Sequence, residues 1–298
     1  MTDGILCINK EEGFTSFDVV AKLRGVLKTK KIGHAGTLDP MATGVLPVFL
    51  GRATKACDCL ADHDKTYQAC FQLGVTTDTL DRTGTVLSTS EVLVGKEEIR
   101  ALLPKLTGEI LQVPPMYSAV KVGGRKLYQL AREGKEIQRQ PRPVTIYHLD
   151  LLGVGEREQE YCMEVSCSKG TYIRSLCEEI GKRLGCGAVL TELKRTQACG
   201  FSLDDCLTLA QVEQAVRAGT IEQHILPVEQ AFEAYPRVDL DEHAAKLFFN
   251  GVKLDPTRLR IPGQAPYYRV YAPKRGFIAL AYVDARGAFR SKKFFILQ

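Results

Sequence analysis

KIGHAGTLDPMATGVLPVFLGRATK, Lys31 to Lys55, sets one acidic residue, Asp39, among four glycines and two prolines, then runs into a smooth apolar stretch, Val45 to Leu50. An ordinary turn does not need so much backbone freedom. Glycine tolerates positive φ and lets other backbone approach, and Pro40 biases Asp39 away from helix. The stretch predicts an irregular, fixed loop between ordered elements, with Asp39 held on it. The plain alternative is an Asx-turn, in which the carboxylate bonds its own backbone.

The remainder of the chain bounds what that loop serves. Its 298 residues are enough for one large domain, or for a large and a small one. At 45% hydrophobic and 25% charged residues the sequence builds a real core. No apolar run is long enough to span a membrane, and the N-terminus shows no secretory pattern. The ten cysteines are scattered, with only Cys57 and Cys59 as a CxC, and no histidine stands at zinc spacing from them. They read as reduced, partly buried thiols of a cytoplasmic protein, with no metal site. The net charge of +5 is uneven: Asp239 to Gln298 holds 11 basic and 5 acidic residues. SAVKVGGRKLYQLAREGKEIQRQPRP, Ser118 to Pro143, holds 7 basic and 2 acidic. Two basic surfaces on a balanced chain point to a polyanion such as nucleic acid, while either alone reads as a solvated face.

Local patterns sketch the architecture. GILCINK is a short strand, and TSFDVVAKLRGVLK opens a helix with a Thr15–Asp18 capping box. KTYQACFQLG alternates, with Tyr67, Ala69, Phe71 and Leu73 on one side, and YCMEVSCSKG alternates again. KEEIRALLPKL is helical; GTYIRSLCEEIGKRLG is an amphipathic helix with Ile173, Leu176, Cys177, Ile180 and Leu184 inward. Thr208 and Gln211 cap a further helix. Beyond Tyr235-Pro236 a short helix and several strands form a small basic module. Strands interleaved with helices, some joined as hairpins, imply a mixed core.

GHAGTLDPMATGVLPVFLGRATK, KTYQACFQLG, GTYIRSL and LKRT resemble, in this order, the motifs of the bacterial tRNA pseudouridine synthase B (TruB) family. The resemblance runs from Ile5 through Leu203, and LFFNGVKL with the strands after it resembles that family's PUA-type RNA-binding module. It implies an α+β fold: a mixed, largely antiparallel central sheet flanked by helices and loops, with a small mostly-β C-terminal PUA-like module. The expected domains are residues 1–237, catalytic, with an RNA-clamping insertion at 118–143, and residues 238–298.

The implied activity is isomerisation of uridine to pseudouridine at position 55 in the TΨC loop of tRNA. The N-glycosidic bond breaks, the uracil turns, and C1′ rejoins at C5, with no cofactor, metal or energy source. By the resemblance Asp39 is the catalytic carboxylate, and the glycines around it let sugar and backbone come into contact. Asp39 acts ionised, by covalent attack or by taking a proton from C2′. Arg174, in the first turn of its helix where a cation opposes the helix dipole, is the implied partner that keeps it so. Tyr67 would stack on the uracil, Tyr172 and Leu193 would wall the base pocket, and Arg195 of LKRT would contact substrate. His34 would fill the gap left by the flipped base. Lys121, Arg125 and Lys126 would clamp the T-arm. A monomer that needs no protein partner is expected.

Three rivals stand beside this reading. One is a synthase for ribosomal RNA, alone or RNA-guided. Another is an RNA-binding folding factor, with or without the activity. The third is a glycosidase, which needs two carboxylates across the bond; the quoted motifs hold no second acid.

Overall fold

The structure is a computed structural model that describes residues 3–60 and 64–296. The chain begins with strand β1 (Gly4–Lys10) and helix α1 (Ser16–Val26). The predicted capping box is formed: Thr15 Oγ1 accepts from the Asp18 N–H at 3.0 Å, and the Asp18 carboxylate accepts from the Thr15 N–H at 2.8 Å. Strands β2 (Ile32–His34) and β3 (Thr43–Leu50) bracket the Asp39 loop. After the short helix α2 (Cys57–Leu60) come β4 (Lys65–Leu73) and a hairpin of β5 (Val75–Thr77) and β6 (Val86–Thr89). Helix α3 (Lys96–Leu102) stops sooner than its sequence pattern suggests, because Pro104 lacks an N–H and the chain tightens into a 3₁₀ turn, Leu103–Leu106. Strand β7 (Gly108–Gln112) leads to the basic excursion, a hairpin of β8 (Lys121–Val122) and β9 (Arg125–Lys126) followed by α4 (Leu127–Arg132). The long strands β10 (Arg142–Val154) and β11 (Glu160–Cys167) precede α5 (Ile173–Leu184), which ends on left-handed Gly185. Then come β12 (Ala188–Ala198), β13 (Phe201–Ser202) and α6 (Leu209–Arg217), capped by Thr208 and Gln211. The final module holds β14 (Arg237–Asp239), α7 (Glu242–Phe249), β15 (Tyr268–Ala272), β16 (Gly276–Val283) and β17 (Phe289–Phe294).

The central sheet runs β1-β3-β12-β4-β11-β10-β7, with β2 added on β3 and β13 on β12. Its pairs are antiparallel except β3 with β12, which run parallel where Thr43 and Gly44 face Lys194 and Arg195. This is the mixed, largely antiparallel sheet of the expectation. Strands β1 and β3 are buried on both faces, which is why they read as continuous apolar runs. Leu6, Ile8, Leu46 and Val48 pack with Val19, Leu23 and Val212 of the helical layer. Ile5, Cys7, Val45 and Phe49 pack instead with Phe201, Phe232 and the C-terminal module. Strands β4 and β11 bury only one face and so alternate.

The structure corrects the reading of the cysteines. Cys70 of β4 and Cys162 of β11 form a disulfide, although 92 residues separate them in sequence. They are direct partners in the β4–β11 register, on the face opposite Tyr67. Strand register, invisible to cysteine spacing, brought them together. Among the described residues the other eight cysteines form no disulfide.

The C-terminal module has its own four-stranded sheet, β14-β15-β16-β17, which begins at Arg237. It does not stand apart. Phe277 and Phe295 lie 6.2 and 5.5 Å, centroid to centroid, from Phe232 of the preceding segment. Phe232 is fully buried there, a contribution of about 1.5–3 kcal/mol. Cutting the chain at residue 238 would strip that shared core.

Candidate active site

Asp39 sits at the turn between β2 and β3, and each end of its loop is fixed. Buried Ser16, at the start of α1, accepts from the Leu38 N–H at 2.9 Å and donates to the Leu38 carbonyl at 3.3 Å. The Pro40 carbonyl accepts from the Gly13 N–H at 2.9 Å and from the Lys10 ammonium at 3.2 Å. Lys10 has no exposed surface and also donates to the Phe14 carbonyl at 2.6 Å. The carboxylate itself goes to Arg174, not into an Asx-turn: Arg174 Nε lies 2.9 Å from Asp39 Oδ2.

The glycines have a different cause from the one expected. A Cβ on Gly44, whose φ is +99°, would lie 2.1 Å from the Arg195 carbonyl oxygen, and one on Gly36 would lie 3.2 Å from the Arg195 guanidinium. Space on the loop is taken by protein, chiefly Arg195. That residue, expected to contact substrate, is 0% exposed. It donates from Nε to the Val45 carbonyl and from Nη2 to the Gly36 carbonyl, each at 2.8 Å. A fully enclosed guanidinium bonded to backbone holds the loop's two flanks together; it does not face solvent.

Arg174 points from the first turn of α5 into this loop with its side chain only 5% exposed. Each terminal nitrogen also donates: Nη1 to the Thr79 carbonyl at 3.1 Å and Nη2 to the Tyr117 carbonyl at 2.8 Å. Asp81 Oδ2 stands 3.7 Å from Nη1. Asp81 is a second acid at the site, outside the motifs that carry the resemblance. Its other oxygen accepts from Thr79 Oγ1, the Thr83 N–H and Thr83 Oγ1 at 2.9, 3.0 and 2.6 Å. Buried, with one oxygen held by three donors and the other beside Arg174, it braces the guanidinium and is not a free acid for a glycosidase-like pair. The threonine-rich turn TTDTLDRT was the signal in the sequence, since Asx and ST turns gather such residues.

The electrostatics follow from this enclosure. Burial, aided by Asp81, raises the Asp39 carboxyl above the usual aspartate value, while Arg174 and Lys10 oppose the rise. The carboxylate is hemmed in by protein, yet 35% of its side chain still meets solvent. Burial pulls Lys10 down to about 8, against the pull of Asp39. Tyr67 on β4 is buried and its phenol is raised by burial, with the Arg195 guanidinium beside it. His34 on β2 is half-buried and held below its ordinary value by burial and by Arg195.

The other expected residues take these places. Leu193 is buried on β12 opposite Ala69, two residues along from Tyr67. Tyr172 is the extended residue immediately before α5. Gln112, which sequence reasoning missed, brackets its backbone from the end of β7. Lys121, Arg125 and Lys126 sit on the β8–β9 hairpin, remote from Asp39 in sequence but four to nine residues past Tyr117, whose carbonyl binds Arg174. Arg125 pairs with Glu133, and the Lys126 ammonium lies 5.6 Å from the Tyr128 ring centroid. Asp39, Arg174, Tyr67, His34 and Arg195 thus converge on one loop, while the hairpin residues form a separate basic surface.

Comparison with known proteins shows the family. Residues 24–173 match the family described as TruB family pseudouridylate synthase (N terminal domain), and residues 174–233 match the tRNA pseudouridylate synthase B C-terminal domain. A tRNA pseudouridine synthase B from Clostridium kluyveri is 44% identical over 296 residues, 99% of this chain and 100% of the relative. One from Lachnoclostridium phytofermentans is 51% identical over 258 residues, 85% of this chain and 84% of the relative. Among solved structures, a Cbf5-Nop10-Gar1 complex superimposes with a TM-score of 0.78 at 27% identity, over 98% of this chain and 85% of the other. An H/ACA RNP bound to a substrate RNA gives 0.75 at 25%, over 99% and 85%. The chain belongs to the TruB family and is an RNA pseudouridine synthase.

Proposed function

We propose that this protein converts uridine 55 in the TΨC loop of tRNA to pseudouridine, with Asp39 as the catalytic carboxylate. The observation that carries the reading is the Asp39–Arg174 ion pair on a loop braced from both sides, inside a family of pseudouridylate synthases. The relatives' name supports tRNA as the substrate. The chemistry moves one bond: C1′ leaves N1, the freed uracil turns, C5 bonds to C1′, and the C5 proton is exchanged for one on N1. Ionised Asp39 either attacks C1′ or takes the C2′ proton, and Arg174 keeps it ionised against the cost of burial.

Tyr67 supplies a flat apolar floor for the uracil, and Leu193 with Tyr172 supplies the walls. The target uridine must leave its stack to reach them, and His34 then occupies the space it vacates. The basic hairpin and the C-terminal module bind phosphates along the T-arm and beyond, recognising RNA by shape. The protein acts alone, without cofactor, in the cytoplasm. The test is a map of pseudouridine in total RNA from cells with and without this protein, together with purified protein on a tRNA transcript. Loss of the mark at position 55 alone is expected. An unchanged tRNA with a mark lost from ribosomal RNA would overturn the assignment.

A further inference from the structure

Arg174 must be aimed at Asp39 from the first turn of α5, and something must hold that turn. Arg174 emerges from the first turn of α5, and Tyr172, two residues earlier, still has extended backbone, φ −103° and ψ 110°, with no side chain of its own capping the helix. A junction of that kind is free to swing, and a swing of the first turn carries the guanidinium with it. The structure closes the junction from outside. Gln112, last residue of β7 and only 7% exposed, accepts from the Tyr172 N–H at 2.7 Å through Oε1. It also donates from Nε2 to the Tyr172 carbonyl at 3.0 Å. A side-chain amide that bonds both polar groups of one residue replaces a strand partner. The next residues of the same segment continue the splint: the Val113 carbonyl accepts from Ser175 Oγ at 2.9 Å, and the Tyr117 carbonyl accepts from Arg174 Nη2 at 2.8 Å.

We infer that Gln112 is a positioning residue for the isomerisation: its amide clamp on Tyr172 fixes the start of α5 and so the aim of Arg174 at Asp39. The inference rests on the reading of Asp39 and Arg174 as the catalytic pair. Only an amide of this length fits the role. Methionine has similar volume, no donor and only a weak thioether acceptor, so Gln112→Met keeps the packing and removes the clamp. A misplacement of about 1 Å at a reacting pair costs roughly 100-fold in rate. Partial loosening should therefore lower kcat by about 10- to 100-fold, leaving tRNA affinity and KM within about threefold.

A residue that merely stabilises the fold would not move the acid limb of the kcat–pH profile. Gln112→Met should move it. The charged groups facing the Asp39 carboxyl are Arg174 and Lys10, which lower its pKa, and Asp81, which raises it; the phenols of Tyr67 and of Tyr172 itself also face it, and burial raises both of them. A loosened Arg174 lowers it less, so the limb shifts to higher pH. The experiment compares wild type, Gln112→Met, Gln112→Ala and Asp39→Asn by release of tritium from C5-labelled uridine in tRNA, with melting curves for each. If Gln112→Ala melts well below wild type, Gln112→Met carries the test. A fall in kcat with the limb shifted upward supports the inference. Wild-type kcat and limb in a folded Gln112→Met protein, or a rise in KM alone, overturn it. Turnover by Asp39→Asn would instead overturn the reading beneath it.

Discussion

Arg174→Lys keeps the charge beside Asp39 and removes the planar fork, and the structure sets the size of the effect. The guanidinium serves the Asp39 carboxylate at 2.9 Å, the Thr79 carbonyl at 3.1 Å and the Tyr117 carbonyl at 2.8 Å. A lysine ammonium is one nitrogen on a shorter reach, and it cannot serve two carbonyls and the carboxylate on diverging sides. At least one buried carbonyl is left without its donor, which costs about 1–3 kcal/mol of stability. For a chain of this size that is a drop of roughly 2–4 °C in Tm per kcal/mol. The Coulomb energy of the ion pair adds little to this sum, because 35% of the Asp39 side chain is in solvent. The rate suffers more than the fold. If the ammonium follows the carbonyls, it leaves Asp39; if it follows Asp39, the segment at Tyr117 loses its donor and shifts. Either displacement approaches 1 Å, so kcat should fall by about 100-fold or more. The assay is single-turnover tritium release at saturating enzyme, with filter binding for tRNA affinity, which should stay within about threefold. A kcat within threefold of wild type in a folded Arg174→Lys protein would refute the reasoning, because a point charge would then suffice.

Asp39→Asn should abolish turnover while tRNA binding persists, as measured by the same two assays. Because the folded-state pKa of Asp39 is raised, the ionised form costs stability above the unfolded pKa, and that cost fades as pH falls through the folded value. Melting curves of Asp39→Asn should thus match or exceed wild type at neutral pH, with any advantage gone in acid. The carboxyl of Glu133 is held at about 2 by Arg125 and Lys135, so Glu133→Gln should free Arg125 and tighten tRNA binding at low salt, as read by filter binding across a salt series. Charge reversal of Lys121, Arg125 and Lys126 should weaken binding and flatten its salt slope by roughly 0.7–0.9 log units per lost phosphate contact. Reducing the Cys70–Cys162 bond, or Cys70→Ser, should lower Tm, since the bond closes a loop spanning 92 residues in sequence and is worth up to about 4 kcal/mol. Turnover at 25 °C should be unchanged, because the bond lies on the face of β4 opposite Tyr67.

What the sequence made legible was local. The capping boxes at Thr15 and Thr208, the alternation of β4 and the inward stripe of α5 each depend on residues within a turn or two, and all are present. What stayed hidden depends on partners far along the chain. Gly44 is explained by Arg195, which arrives on a parallel strand that no spacing predicts. Cys70 meets Cys162 only through register. Asp81, Lys10 and Gln112 carry ordinary polar side chains in ordinary surroundings until the sheet closes, and only then does each face the loop or the start of α5. The shared core of the C-terminal module was illegible for the same reason: Phe232 reads as the end of one segment, yet Phe277 and Phe295 bury it.

The second acid gives the arrangement its logic. A buried arginine that met Asp39 alone would hold the carboxylate strongly ionised but weakly basic. Asp81 competes for the same guanidinium from 3.7 Å and fixes it in place through the threonine turn. Burial is the larger cause that lifts the Asp39 carboxyl above its usual value, and the Asp81 charge adds to it against the pull of Arg174. Nucleophilicity and basicity rise together with pKa as long as the group remains deprotonated at working pH. On the proposed reading, Arg174 supplies ionisation while Asp81 and burial preserve reactivity. Asp81→Asn would then strengthen the hold of Arg174 on Asp39 electrostatically while loosening its geometry, two effects with opposite signatures. The first moves the acid limb of the kcat–pH profile down; the second lowers the plateau. Measured on the same enzyme, the limb reports charge and the plateau reports aim, so the two jobs of Asp81 separate in a single pH profile.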